Sequence, residues 1–199
     1  YEIVYRDWSS DVCSSDLALA GAEFHGADLR ALPELAQPAA GLWCSFASAY
    51  FVELAPLLAS WARALRPGGW IALTEVDDFF AHEPLSAHTR ARFEAYVTDA
   101  ERERRYDFRM GRKLEAHLTH AGFRVTRRLE LADCEFACDG PLSPEVVEAW
   151  RARLERMQLL RDACGAGFDA LRDEFLACMT HPQHRSRCRV IFVLAERTR

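Results

Sequence analysis

Lysine is nearly absent: of the 25 basic residues only Lys113 is one, and the rest are arginine. Arginine in such excess, with abundant alanine, marks a GC-rich genome more than a basic function. The formal charge of −5 leaves no positive surplus for nucleic acid or an acidic membrane surface. No CxxC pair occurs among the seven cysteines, which excludes the usual zinc-ribbon and thioredoxin-like spacings. Cys134 and Cys138 are the nearest pair and read as ordinary half-buried thiols, so no metal site is expected and a reduced, cytoplasmic protein is. No apolar run approaches the roughly 20 residues that cross a bilayer. A Gly-rich phosphate loop after a first strand is also missing; the one G-x-G, Gly165-Ala166-Gly167, falls between two helical patterns.

What is present divides at residue 17. The run from Asp7 to Leu17, DWSSDVCSSDL, resembles a translated short-read sequencing adapter, and is set aside as tags and fusion scars are. The native reading begins near Ala18, so a missing N-terminus is expected. Residues 1–17 hold −3 of the formal charge of −5. The remainder, with half of the whole chain apolar, suffices for one domain with a substantial core.

The most legible stretch is Arg63 to Glu75. Arg66 suits the carbonyl end of a helix, Pro67 stops it, and Gly68-Gly69 supply a turn. Trp70 to Thr74 then runs apolar without alternation, as a strand covered on both faces does. A strand at 41–46, a helix at 53–66 with its stripe at Leu54, Leu57, Leu58, Trp61 and Leu65, and a strand at 70–76 make a right-handed βαβ unit. A short strand at 22–25 precedes it.

Downstream, Val76 to His82 leaves the sheet with two acids, two aromatics and a histidine. A helix spans about 86–104, its many arginines balanced by acids as a solvated, ion-paired face. Another helix covers 108–121 and is capped at Gly122, and an alternating strand follows at 123–131, interrupted by Arg127. Ser143 and Pro144 open a helical insertion over about 144–180, and a β-rich strand at 189–195 closes the chain. The pattern is α/β, with a parallel sheet at its centre.

This order of elements resembles the second half of a class I S-adenosylmethionine-dependent methyltransferase. The residues that carry the likeness are Gly26-Ala27-Asp28-Leu29 with Leu32-Pro33, Trp43 to Phe46, Leu65 to Trp70 leading into Leu73-Thr74-Glu75, and Ala121 to Val125. The resemblance implies a Rossmann-like methyltransferase sheet, incomplete here, in which 22–25, 41–46, 70–76, 123–131 and 189–195 are strands three to seven. The last is antiparallel and inserted beside the fifth. It implies S-adenosylmethionine as cofactor and a small-molecule methyl acceptor. Asp28, whose residue type alone reads as a turn or helix cap, matches the acid that receives the adenine amino group, and Leu29 the neighbour of the ring.

Ser45, Phe46 and Tyr50 fall where the family places groups around the methionine part, and by themselves read equally as core. Glu75, Asp77 and His82 are the candidate general bases should the acceptor be a hydroxyl. The Gly-rich loop and the ribose-binding acid have no match, so weak cofactor binding by this chain alone, or none, is expected. Strand 41–46 is expected to show an open apolar edge prone to aggregation. The alternative is a non-catalytic Rossmann-like binding module contacting its partner through 144–179. Oligomeric state is not legible.

Overall fold

The strand expected at 70–76 is the spine of the molecule, and it starts earlier than its apolar run. The computed structural model describes residues 28–32, 38–51 and 53–198; the adapter-like tail and the strand expected at 22–25 lie outside them. In chain order the regular elements are β1 (Ala39–Ser45), α1 (Leu54–Ala64), β2 (Leu65–Asp77), β3 (His82–Glu83), α2 (Ala87–Arg102), α3 (Leu114–His120), β4 (Phe123–Leu131), α4 (Pro144–Arg156), α5 (Gln158–Cys164), α6 (Phe168–Met179), β5 (Arg185–Ser186) and β6 (Arg189–Arg197).

Helix α1 ends at Ala64, two residues short of the expected 66, because the residue before a proline is pushed out of the helical region and Leu65 is already extended. Leu65 pairs with Ala39, the ladder then skips to Gly41 opposite Trp70, and 66–69 bulges between the two pairings. Gly68 has φ +73, so the glycine of this turn is needed for its backbone. The Pro-Gly-Gly stretch is therefore a bulge within β2 and not a separate connection before it.

The sheet order is β1-β2-β6-β4. β1 and β2 are parallel, and β6 runs antiparallel to both β2 and β4 between them. This is the placement expected of a closing strand inserted beside the fifth. Thr126 bulges out of β4 where the alternation falters, and its hydroxyl donates to the Leu194 carbonyl at 3.1 Å. One face of the sheet, Ile71, Leu73, Ile191, Val193 and Ala195, packs on Leu54, Leu58 and Trp61 of α1 and Leu114 and Leu118 of α3. Each such buried side chain contributes about 1.5–3 kcal/mol.

Two expected helices begin differently. The 108–121 helix is delayed to Leu114 because the Asp107 carboxylate accepts from the Arg109 amide at 2.9 Å and holds 107–110 as a turn, with a short 3-10 turn at Gly111–Lys113 following. The insertion opens as read: Ser143 caps α4 with Pro144 in its first turn. It is broken again at Met157, giving three helices rather than two. With α2, these helices enclose a second core, into which Phe79 and Phe80 reach from the loop after β2. Phe80 stacks on Phe93 at 4.4 Å, and Phe79 lies 5.0 Å from Trp150. Such aromatic pairs add about 0.5–1.5 kcal/mol beyond burial.

Candidate functional site

The carboxyl ends of β1 and β2 lie side by side, and each carries a non-glycine residue in the left-handed region: Phe46 at φ 55 and Asp78 at φ 56. Backbone strain of that kind costs roughly 1–3 kcal/mol and concentrates where side chains must be aimed. The Phe46 amide donates to the Thr74 carbonyl at 2.8 Å, continuing the ladder by one step before the chain turns at Ser48–Tyr50. The Phe46 ring is 43% exposed and lies 6.2 Å from Phe136 in the segment before the insertion. Tyr50 meets Tyr106 edge-on at 4.8 Å, and the Ser45 hydroxyl accepts from the Trp43 indole at 2.8 Å.

Beneath this turn sits Glu75, wholly buried. Its Oε1 accepts from the Ala49 amide at 3.2 Å, while Oε2 has no protein partner. Burial pushes its carboxyl up to about 7, and the Ala49 and Ser48 amides only partly oppose that. Asp77 and Asp78 are instead gathered by arginines. Arg112 bonds Asp77 at 2.7 Å and also Asp78, and Arg109 bonds Asp78 at 3.1 Å and Glu94 at 2.5 Å. The approach of Arg112 depends on Gly111, where a Cβ would stand 2.9 Å from the Asp77 Cβ and 3.1 Å from its backbone nitrogen.

Asp28 and Leu29 lie at the start of a 3-10 turn that Asp28 caps, its carboxylate accepting from the Arg30 amide at 2.8 Å and from the Arg30 guanidinium at 2.6 Å. The Arg30 side chain holds the Asp28 carboxyl down at about 2. The turn is tied to α1 by the Trp61 indole, which donates to the Leu29 carbonyl at 2.8 Å.

His82 is elsewhere. It is buried in the second core, edge-on to Trp150 and Phe175, and its Nδ1 lies 3.0 Å from His184 Nε2. Burial, then the neighbouring His184, lowers it to about 3, with only the Phe79 carbonyl acting the other way. The pairing of β3 with β5 that brings these histidines together involves two residues on each strand, too few for any periodicity to reveal.

Sequence reading also missed Arg153 as more than a surface charge. Its guanidinium lies over Trp150 at 4.7 Å and Phe136 at 4.9 Å, and pairs with Glu135 at 2.5 Å. That pair is close without hydrogen-bond alignment, which leaves Arg153 Nη1 and Glu135 Oε1 unsatisfied. A cleft of about 190 Å³ opens between the loop 78–83, α2 and the 108–109 turn. Of the candidates from the sequence only His82 lines it; Asp28, Leu29, Ser45, Phe46, Tyr50, Glu75 and Asp77 do not. The strand ends are thus the better-defined candidate site, since open sheets of this class bind ligands there, and the cleft adjoins the end of β2 through Asp78 and Phe79. Among the described residues, no group of three His, Cys, Asp or Glu is placed to hold a metal, and no helix is long and apolar enough to cross a membrane.

The α/β sheet with an antiparallel strand between β2 and β4 is the Rossmann-like methyltransferase fold. No protein-family model and no curated protein matches the sequence. Solved structures do. A Bacillus halodurans C-125 protein carrying a provisional methyltransferase assignment is similar at 17% identity and TM-score 0.50, over 87% of this chain and 70% of that one. The [4+2]-cyclase SpnF is similar at 16% identity and TM-score 0.50, over 88% of this chain and 57% of its own. A phosphoethanolamine N-methyltransferase from Haemonchus contortus, in complex with phosphomonomethylethanolamine and S-adenosylhomocysteine, aligns at 18% identity and TM-score 0.40, over 80% of this chain. The chain spans 33% of the Haemonchus enzyme and 57% of the cyclase. Identities this low speak for the fold alone.

Proposed function

We propose that this chain carries the adenine and methionine side of an S-adenosylmethionine site, in an enzyme that transfers a methyl group to a small-molecule acceptor. The observation that supports this most is the sheet order, with β6 antiparallel between β2 and β4. The residues at the strand ends fit the group. The Asp28 carboxylate has about four lone-pair sites, and Arg30 takes them with its amide, Nε and Nη2, so an adenine amino group is accepted when the exposed Arg30 side chain swings aside. Leu29 packs against the ring. Ser45, Phe46 and Tyr50 surround the sulfonium end, where a cation is attracted to aromatic faces.

S-adenosylmethionine supplies a methyl on an already activated carbon, so the protein's tasks are alignment and exclusion of water. If the acceptor is a hydroxyl, Glu75 suits the base better than Asp77, which Arg112 neutralises, or His82, which lies in the second core. Under the alternative, a non-catalytic binding module, Asp28 is only a cap. The second reading is kept because one fold hosts several functions.

Calorimetric titration with S-adenosylhomocysteine separates them. Binding is expected to be weak but saturable, and Asp28→Ala is expected to weaken it roughly tenfold, the worth of one charge-assisted hydrogen bond. Unchanged affinity in that variant would count against the enzyme reading, and tight binding by the unaltered chain would contradict the incomplete site.

A further inference from the structure

The cleft between the loop 78–83 and α2 joins an apolar wall to an unevenly paired rim. Phe79, Phe80, Phe93, Val97 and Phe108 form the wall. His82 adds ring surface but no charge, since burial holds it neutral. Three carboxylates stand on the rim, and each is met by a guanidinium: Asp78 by Arg109 and Arg112, Glu94 by Arg109 at 2.5 Å, and Glu83 by Arg187 at 3.2 Å.

Arg90 is the exception on this rim. It lines the same cleft, is exposed, and has no carboxylate partner among the described residues. Its Nη1 donates to the Leu85 carbonyl at 2.7 Å, which uses one of a guanidinium's five N–H donors and leaves the rest of the fork to solvent. A long surface side chain of this kind can turn its fork to a ligand lying against the wall. The positive end of α2 does not compete for the same anion. Glu174 already occupies that end, accepting from the Ser86 amide at 2.6 Å and from the Thr89 hydroxyl.

We propose that this cleft binds a small aromatic monocarboxylate, its ring against the phenylalanines and its carboxylate on Arg90. An apolar cavity of about 150 Å³ takes a benzene ring, so the cleft's volume of about 190 Å³ suits one ring with a short acidic arm. Charge sets the direction of the preference. An aromatic amine would meet Arg90 while every rim acid is already paired, and a neutral ring would leave the guanidinium unused. The residues assigned to the cofactor do not line the cleft, so this binding goes beyond methyl transfer and does not rest on it.

Phenylacetate and phenylacetamide are matched in shape and differ in charge. In calorimetric titration of the unaltered chain without cofactor, at low salt, phenylacetate is expected to bind in the millimolar range. Phenylacetamide is expected to bind about fivefold more weakly, the upper end for an ion pair open to solvent. Acetate, which has the charge without the ring, is expected not to bind. Nuclear Overhauser contacts from the phenylacetate ring to the Val97 methyl groups are expected to place the ligand in the cleft. Arg90→Gln is expected to bring acid and amide to the same affinity, and Arg90→Lys to keep the acid ahead. No phenylacetate binding at millimolar concentration, equal affinity for acid and amide in the unaltered chain, or ring contacts away from Val97 would overturn the proposal, whether or not either variant folds. So would an acid preference that survives Arg90→Gln, or acetate binding as tightly as phenylacetate. S-adenosylhomocysteine is absent from these titrations, so their outcome and that of the cofactor test are read separately.

Discussion

Glu75 and His82 are both buried acid–base groups, and burial drives them in opposite directions because it disfavours whichever form is charged. Glu75 is raised to about 7, so its contribution favours the fold below pH 4.5 and is lost as pH rises through 7. His82 is lowered to about 3, so its contribution is full above pH 6.5 and is lost as pH falls toward 3. Glu75→Gln keeps an acceptor for the Ala49 amide and removes the charge. It is expected to be about 2–3 kcal/mol more stable than the unaltered protein at pH 8, with the difference vanishing at pH 4.5, as read from urea midpoints. If Glu75 is also the base, methyl transfer falls in the same variant, a trade of activity for stability. His82→Phe is expected to flatten the acid side of the stability profile between pH 6.5 and 3 while lowering stability at pH 7, because His184 Nε2 loses its buried hydrogen-bond partner; an unchanged acid slope would show that His82 is not the titrating group.

At the scale of elements, the contact that aims the strand-end carboxylates is the 3-10 turn Gly111–Lys113 against the end of β2. A methyl group at position 111 would meet backbone and Cβ atoms of Asp77, which cannot swing aside as a flexible side-chain tip can. Gly111→Ala is therefore expected to cost about 1–3 kcal/mol, as overpacking does. It should also loosen the Arg112 pairings with Asp77 and Asp78, seen as a lower thermal midpoint and a weaker dependence of that midpoint on salt. A midpoint within experimental error of the unaltered protein would show that the turn has slack. The helices were legible to within a few residues because stripes and caps are local: Ser86 and Ser143 accept from Thr89 and Val146, three residues on. The β3–β5 pair and the Arg109 and Arg112 bridges were not, because their partners lie 15 or more residues apart and leave no periodic trace.

Across the whole molecule, β1 is the last strand on its side of the described sheet, and its residues carry no charge. Trp43 projects from it at 72% exposure, in a row with Ala72 and Leu194 on the sheet face opposite the α1–α3 core. Natural edges are guarded by charge, proline or a bulge, and the centre of this one has none of these. The chain is expected to self-associate as concentration rises, and Trp43→Lys to shift that onset to higher concentration in sedimentation experiments. Sedimentation of both proteins as the same monomer would refute the exposed-edge account.

Local chemistry settled much of this protein before any folding. The βαβ unit, the capped helices and the apolar closing strand are written in periodicity, capping residues and turn residues, all of which act within a few positions. Pro67 reads as the junction of helix and strand, but it lies two residues inside β2, in the bulge. Only the tertiary structure decided that Glu75 lies beneath the Ser48–Tyr50 turn, that His82 belongs to a second core with His184, and that a cleft opens beside α2 next to the end of β2. Burial and long-range pairing set protonation, and neither is a property of a residue's sequence neighbours.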